Sequence, residues 1–424
     1  MMKAPSQSKP GPVRRFFTLV GPGVVTGAAD DDPSGIVTYS IAGAQLGTSL
    51  LWTAMLTWPL MAVVQMMCAR IGLVSGVGLA GALRKKFPRS LLIIAALSLF
   101  VANTINVSAD LSGMAEVMQM LTGVSSRLFI VFFGGAIIFA TVRFSYKVLA
   151  SVLKWLAAVL FAYVITAFIV RPHWPTVLLA TFLPHWPSGH AQWAMLVAIL
   201  GTTISPYLFF WQASQEIEEE KIKGRHTEES RRGAPAAALK ERALDVGMGT
   251  FFSNLIMYFI ILTAALTLNR NGITHLESSK DAVQALRPLA GEFAALLYSV
   301  GLIGVGFLAI PTLAGSSAYA FSETFDLHQG LDKKLHEARA FYGILICSII
   351  VGMGLSFTSI RPTDALFLTA VINGILAPFL LVGILFVACD HKIMQNQPSS
   401  LLARILVTVT TVGMFVAAAA LFLV

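Results

Sequence analysis

Long apolar stretches follow one another along nearly the whole chain, each ending in a few basic or small polar residues. A helix crosses the hydrocarbon core of a bilayer with about 17–25 apolar residues. On that measure the pattern predicts about eleven spans. They lie near 16–46, 48–74, 90–121, 126–143, 148–170, 192–217, 246–268, 290–322, 337–358, 362–389 and 401–424. The two-residue alternation of a membrane barrel is absent. The expected class is therefore an all-α, multi-pass integral membrane protein. Residues 1–15 read as a tail, and 16–424 as a single transmembrane domain. The one long charged segment, 218–245, reads as a solvated helical loop.

Two spans depart from the pattern at their centres. The first carries Ala29-Asp30-Asp31-Asp32-Pro33-Ser34-Gly35, and the sixth carries Gly201-Thr202-Thr203-Ile204-Ser205-Pro206-Tyr207. A proline in a helix interior removes a backbone donor and breaks the helix. If spans 1–5 and 6–10 form two repeats, the breaks occupy equivalent positions. Five spans is an odd number, so the second repeat must insert upside down relative to the first. Secondary transporters of the LeuT type place substrate at such paired breaks near the bilayer midplane. The expected architecture is thus a LeuT-like fold of inverted five-helix repeats, with the eleventh helix added outside them.

Composition agrees with this class and adds an orientation. The chain of 424 residues is 56% hydrophobic and 12% charged, against about 25% charged in soluble domains. Its net charge of +8 comes from basic residues spread over short loops, which is a topology signal rather than a nucleic-acid footprint. With the N-terminus inside, the cytoplasmic side receives Arg14, Arg15, Arg84, Lys85, Lys86 and the basic residues of 218–245. The outer side receives only Arg127, Arg171, Arg270, Lys280, Arg287 and Arg361. An odd number of spans then puts the C-terminus outside. The basic start leads into a long apolar segment without a cleavage site, so no signal peptide is expected. Cys68, Cys347 and Cys389 lie in or beside apolar segments and imply no disulfide framework.

The breaks carry the chemistry. A charged residue at the centre of a span costs roughly 2.5–3.5 kcal/mol on insertion scales and marks an ion or proton pathway. Asp30, Asp31 and Asp32 have no basic residue deep in any span to pair with. Successive helical residues turn by about 100°, so at most two of the three line one cavity, and the others are expected to face an aqueous vestibule. Unwound backbone would free carbonyls such as that of Ala29 to face a cation. At the second break, the hydroxyls of Thr202, Thr203 and Ser205 are hard oxygen donors, as is Ser34 at the first. Without its partner, the second break would read as a proline kink stabilised by Ser and Thr. Asn373, ahead of Pro378, could add an amide oxygen, or could equally make an interhelical hydrogen bond. Asn103 and Asn106 read as interhelical glue.

Together these residues resemble the natural resistance-associated macrophage protein (NRAMP) family of divalent-metal transporters. The resemblance starts at Gly21-Pro22-Gly23 and runs through Gly43-Ala44-Gln45-Leu46-Gly47, Leu51-Trp52 and Gln65 to Ala69-Arg70-Ile71-Gly72. It resumes at Ala109-Asp110-Leu111 and at Ser205-Pro206. It implies a LeuT-like fold and a metal site on the first and sixth spans. The family's Asp-Pro-Gly-Asn signature places its metal-binding Asp on Asp32 and its Pro on Pro33. The Asn ligand falls on Gly35, the Met ligand on Ser205 and the His of Met-Pro-His on Tyr207. The second acid of Asp-Leu-Ala-Glu falls on Gly113. Asp110 remains, and Glu116 lies one turn further on.

These departures change the expected cargo. A Met thioether favours soft ions; Ser205 in its place leaves a hard oxygen site that suits Mg²⁺ and tolerates Mn²⁺. The pattern is similar to the magnesium-transporting branch related to NRAMP. With the His and the Glu gone, weak or absent proton coupling is expected, and Asp110 and Glu116 are the remaining candidates for a proton path. The alternatives are a proton-coupled Mn²⁺/Fe²⁺ symporter and a LeuT-fold carrier of an organic solute. No His-Glu-x-x-His pair or Gly-rich phosphate loop occurs, so an enzyme is not expected. The expected cofactor set is empty, with the metal ion as cargo. The expected partners are that ion and the lipid bilayer, with no nucleic acid. A monomer in a bacterial inner membrane is the expected state.

Overall fold

The structure is a computed structural model that describes residues 22–144, 158–276, 279–358 and 360–423. The expected tail at 1–15 and the first part of the fifth span lie outside the described residues. Among the described residues every regular element is a helix. The principal ones are α1 (Pro22–Asp30), α2 (Pro33–Leu46), α3 (Trp52–Ser75), α4 (Leu79–Arg84), α5 (Arg89–Thr122), α6 (Ser126–Arg143), α7 (Phe161–Ile169) and α8 (Trp174–Phe182). They continue as α9 (His190–Thr203), α10 (Pro206–Ile222), α11 (Ala236–Thr267), α12 (Ala294–Phe325), α13 (Arg339–Leu355), α14 (Pro362–Ala388) and α15 (Leu401–Leu423). Among the described residues, eight helical segments are long and apolar enough to cross a membrane. These eight, the broken pair α1–α2 and the 17-residue α13 fall on the expected spans, of which the first and the fifth are described only in part.

Both breaks arise from one local device. Asp32 and Ser205 are extended residues immediately before Pro33 and Pro206, each of which opens a new helix. Proline suits that first helical position because its missing N–H would have no partner there. The same ring prevents the preceding helix from running on.

The two broken spans lie against each other, α1 on α10 and α2 on α9. The second helix of each half packs on the broken span of the other: α3 on α10, and α11 on both α1 and α2. This exchange is what two intertwined repeats require. Around it α5 packs on α12 and α13, and α14 on α9 and α15.

Small residues set the closest approaches. Gly23 and Gly27 of α1 sit on Val246 and Gly249 of α11, and a Cβ on either glycine would run into that backbone. Helices meet in this way at small-xxx-small seams in membranes. The start of α1 is also held by charge. Asp245 accepts from the backbone N–H of Gly23 (2.8 Å) and Val24 (3.3 Å). An anion there complements the positive end of the helix.

The charged segment is less solvated than the sequence suggests. Helix α10 continues to Ile222 and buries Glu216, Glu218 and Glu220, while Arg231, Arg242 and Asp245 are buried from the other side. Arg242 pairs with Glu216 (2.8 Å), Glu219 and Asp245. The network compensates these charges internally, and the residues that stay exposed lie mainly between Lys223 and Glu241. Sequence reading missed this because the pairing partners sit 26 residues apart on different helices.

Candidate metal-transport site

Asp32 is the N-cap of α2. Its Oδ1 accepts from the Gly35 N–H (2.7 Å) and the Ser34 hydroxyl (2.9 Å), and its Oδ2 accepts from the Asn106 amide of α5 (3.1 Å). The carboxylate is 3% exposed and so is held from two helices in the centre of the bundle. Capping fixes Oδ1 in place and leaves Oδ2 as the oxygen with spare acceptor capacity.

Asp30 and Asp31 turn the other way. Both face the Ser253 hydroxyl of α11, at 2.8 and 3.2 Å. They are 0% and 5% exposed, so the aqueous vestibule expected for them is replaced by a buried contact with α11. Among the described residues none of the three, nor Asp110, forms an ion pair. No three His, Cys, Asp or Glu side chains converge as a ready-made metal cluster among those residues either. The reason is geometric: the helix turn between positions 30 and 32 splits the carboxylates between α5 and α11.

The second break supplies contacts across the interface. Tyr207 is fully buried, and its hydroxyl donates to the backbone carbonyl of Ala29 (3.0 Å). The Ala29 carbonyl is thus freed by the break, as expected, but a phenol takes one of its lone pairs. Thr202 donates to the Tyr39 hydroxyl of α2 (3.0 Å). Ser205 turns back onto the carbonyls of Thr202 (2.6 Å) and Gly201 (2.9 Å), closing the end of α9. Thr203 bonds only within its own helix, to Ile199 (2.8 Å), and does not join the site.

Helix α14 comes close at Gly201, where a Cβ would overlap the backbone at Ala370 and Gly374. This contact brings Asn373, the neighbour of Gly374, beside the second break. Its amide oxygen is buried and has no donor. The same holds for Asn106 Oδ1, Asp30 Oδ1 and both carboxylate oxygens of Asp110. Asp110 lies by the Ser34 backbone, within range of the Asp32 charge. Buried acceptors without donors are rare in folded proteins.

Glu116 is placed elsewhere. It accepts from the Ser279 hydroxyl (2.7 Å) and N–H (3.3 Å) and so secures the segment before α12. The position of Gly113 is closed by Leu366 and Leu302, at 3.2 and 3.8 Å from where a Cβ would stand.

Asn106 makes the interhelical hydrogen bond that its sequence position suggests, and its partner is Asp32 itself. Its signal was present: Asn103, Asn106 and Asp110 recur at helical spacing and form one polar stripe on α5. Asn103 does act as glue, donating to the Leu313 carbonyl and to the Ser316 and Ser317 hydroxyls of α12, each at 2.9 Å.

Comparison with known proteins extends over the same elements. The chain is 25% identical over 419 residues to a protein of Aeromonas hydrophila subsp. hydrophila named divalent metal cation transporter MntH, covering 95% of this chain and 96% of that one. In structure it is similar to a manganese transporter of Eremococcus coleocola, with a TM-score of 0.74 and 17% identity, over 97% of this chain and 88% of that one. It is also similar to MhsT in complex with L-phenylalanine, with a TM-score of 0.56 and 14% identity, over 95% and 97%. These likenesses show the LeuT-like fold. Residues 23–424 match the natural resistance-associated macrophage protein-like family, and the chain belongs to that family.

Proposed function

We propose that this protein carries hard divalent cations, Mg²⁺ and Mn²⁺, across a bacterial inner membrane by alternating access around the two helix breaks. The observation that carries this reading is a set of buried oxygen acceptors: among the described residues Asp110, Asn106 Oδ1 and Asn373 Oδ1 have no side-chain hydrogen-bond donor, and Asp32 Oδ2 accepts only from Asn106. Every one is a hard oxygen ligand, and no thioether, thiol or imidazole stands at either break. The MntH name of relatives that align over nearly the full length supports a divalent cation as cargo.

Two features support Mg²⁺ in particular. The Ala29 carbonyl is partly engaged by Tyr207, so the ion keeps more of its water, which Mg²⁺ favours. Because Asp32 Oδ1 is used for capping, the carboxylate offers one oxygen rather than two. Ca²⁺ prefers a crowded shell with bidentate carboxylates and is disfavoured by that arrangement.

Proton coupling is weak or absent in this reading. Leucines close the Gly113 position, and Glu116 is occupied with Ser279. The membrane potential alone supplies about 2.3 kcal/mol per charge per 100 mV, twice that for a divalent ion. The N-terminus is cytoplasmic and the C-terminus outside, and the working unit is a monomer.

The test is uptake of Mg²⁺, Mn²⁺ and Ca²⁺ into proteoliposomes at two pH values, with a pH-sensitive dye inside. Uptake of Mg²⁺ and Mn²⁺ without metal-dependent acidification is expected. Stoichiometric acidification would overturn the uncoupled mechanism, and failure to move any divalent ion would overturn the cargo.

A further inference from the structure

At the end of the bundle away from the ion site, a pocket of about 200 Å³ opens between α3 and the start of α15. Its walls are of two kinds. Val63, Met66, Met67 and Ala403 form an apolar side, and Arg70 and Ser399 a polar one. Arg70 donates to the carbonyls of Gln397 (3.1 Å) and Pro398 (3.2 Å), and among the described residues it has no carboxylate partner. Its positive charge is therefore uncompensated. Ser399 is 2% exposed, and its hydroxyl is buried with no hydrogen-bond partner. The 23-residue helix α15 begins two residues later. Ser400 caps it by accepting from the Ala403 N–H (3.3 Å), while other N–H groups of the first turn have no intrahelical acceptor.

A cation, a spare hydroxyl and a helix N-terminus around one pocket recognise an anion with several acceptor oxygens. A tetrahedral phosphate fits that description. We propose that the pocket holds the phosphate of a bilayer phospholipid, with its glycerol end and acyl chain along Val63 and Met66. The setting favours a lipid over a soluble anion. Arg70 stands five residues before the end of α3 at Ser75, about 7.5 Å inside the helix end at 1.5 Å per residue. Leu401 and Leu402, on the first turn of α15, are each 66% exposed and face outward beside the polar groups. Apolar surface and an uncompensated cation side by side mark the headgroup boundary.

Native mass spectrometry of the full-length protein in detergent tests this. It is titrated separately with phosphatidylglycerol, with a diacylglycerol of the same chains that lacks phosphate, and with inorganic phosphate. One retained phosphatidylglycerol is expected, with no retention of the diacylglycerol. Arg70→Gln should lower that retention about tenfold, the loss of one charge-assisted contact. Since Arg70 also ties down the 397–398 segment, Ala403→Trp provides a second variant that fills the pocket and leaves those bonds intact; it should have the same effect. Equal retention of diacylglycerol would overturn the proposal, as would wild-type retention in Ala403→Trp. Tight binding of inorganic phosphate that displaces the lipid would assign the pocket to a soluble anion and overturn it too.

Discussion

The Tyr207 hydroxyl donates to the backbone carbonyl of Ala29 at 3.0 Å and so ties the second helix break to the first. A neutral phenol thus occupies the carbonyl proposed as a metal ligand. Tyr207→Phe removes the donor and leaves the ring. Loss of the bond should cost about 1 kcal/mol of stability. The freed carbonyl should raise affinity for Mn²⁺ over Mg²⁺ by about threefold, because Mn²⁺ gives up water more readily for a protein ligand. Competition uptake assays measure the ratio, and an unchanged ratio would remove Ala29 from the ion's surroundings.

The Asp32 carboxylate is fixed from both α2 and α5. Asp32→Asn keeps its shape and capping capacity but cannot balance a divalent charge. Uptake of Mg²⁺ and Mn²⁺ should fall to the level of empty vesicles, while the variant inserts and purifies like the wild type. If uptake persists, the ion is held on the other side of the turn, by Asp30 and Asp31 against Ser253.

Ser205→Met introduces a thioether where α9 ends. Soft and borderline ions gain most from such a ligand, so Cd²⁺ and Mn²⁺ should compete better against Mg²⁺, by about tenfold for Cd²⁺. Gly35→Asn should strengthen this, since a Cβ at Gly35 meets only ordinary contacts at 3.4 Å or more. An unchanged rank order in the double variant would show that position 205 does not face the ion.

If Asp32 binds the ion as proposed, Asn106 acts on it through the 3.1 Å hydrogen bond to Asp32. Asn106→Leu removes a hydrogen bond to a charged group, worth about 1.5–3 kcal/mol. The expected result is a rise in KM for Mg²⁺ of about tenfold or more, with a smaller change in maximal rate. Asn106→Ser, which keeps a donor, should recover part of the loss. A fall in maximal rate at constant KM would mean that Asn106 serves the conformational cycle instead.

Much of the fold was legible in the sequence because its signals are local. Span lengths follow from apolar runs, and each break follows from a proline beside a capping residue. Asp32 was legible for the same reason, since Asp-Pro at a helix start specifies both a break and a cap. What the sequence concealed depends on pairs far apart in the chain. The Tyr207 contact to Ala29 spans 178 residues and that of Ser253 to Asp30 spans 223. No periodicity reports such pairs. Glu116 is a further case: its carboxylate is bonded to Ser279, a partner 163 residues away.

The seam between α1 and α11 has a thermal consequence. Its closest approaches are glycine against backbone, with polar contacts at both ends, Asp245 on Gly23 and Ser253 on Asp30 and Asp31. Parting the two helices would therefore wet few apolar groups. Heat-capacity changes scale with apolar area exposed, so a motion at this seam carries a small one. A transport step limited by that motion would give a nearly straight Arrhenius plot, where a step that unpacked a leucine-rich face would give a curved one.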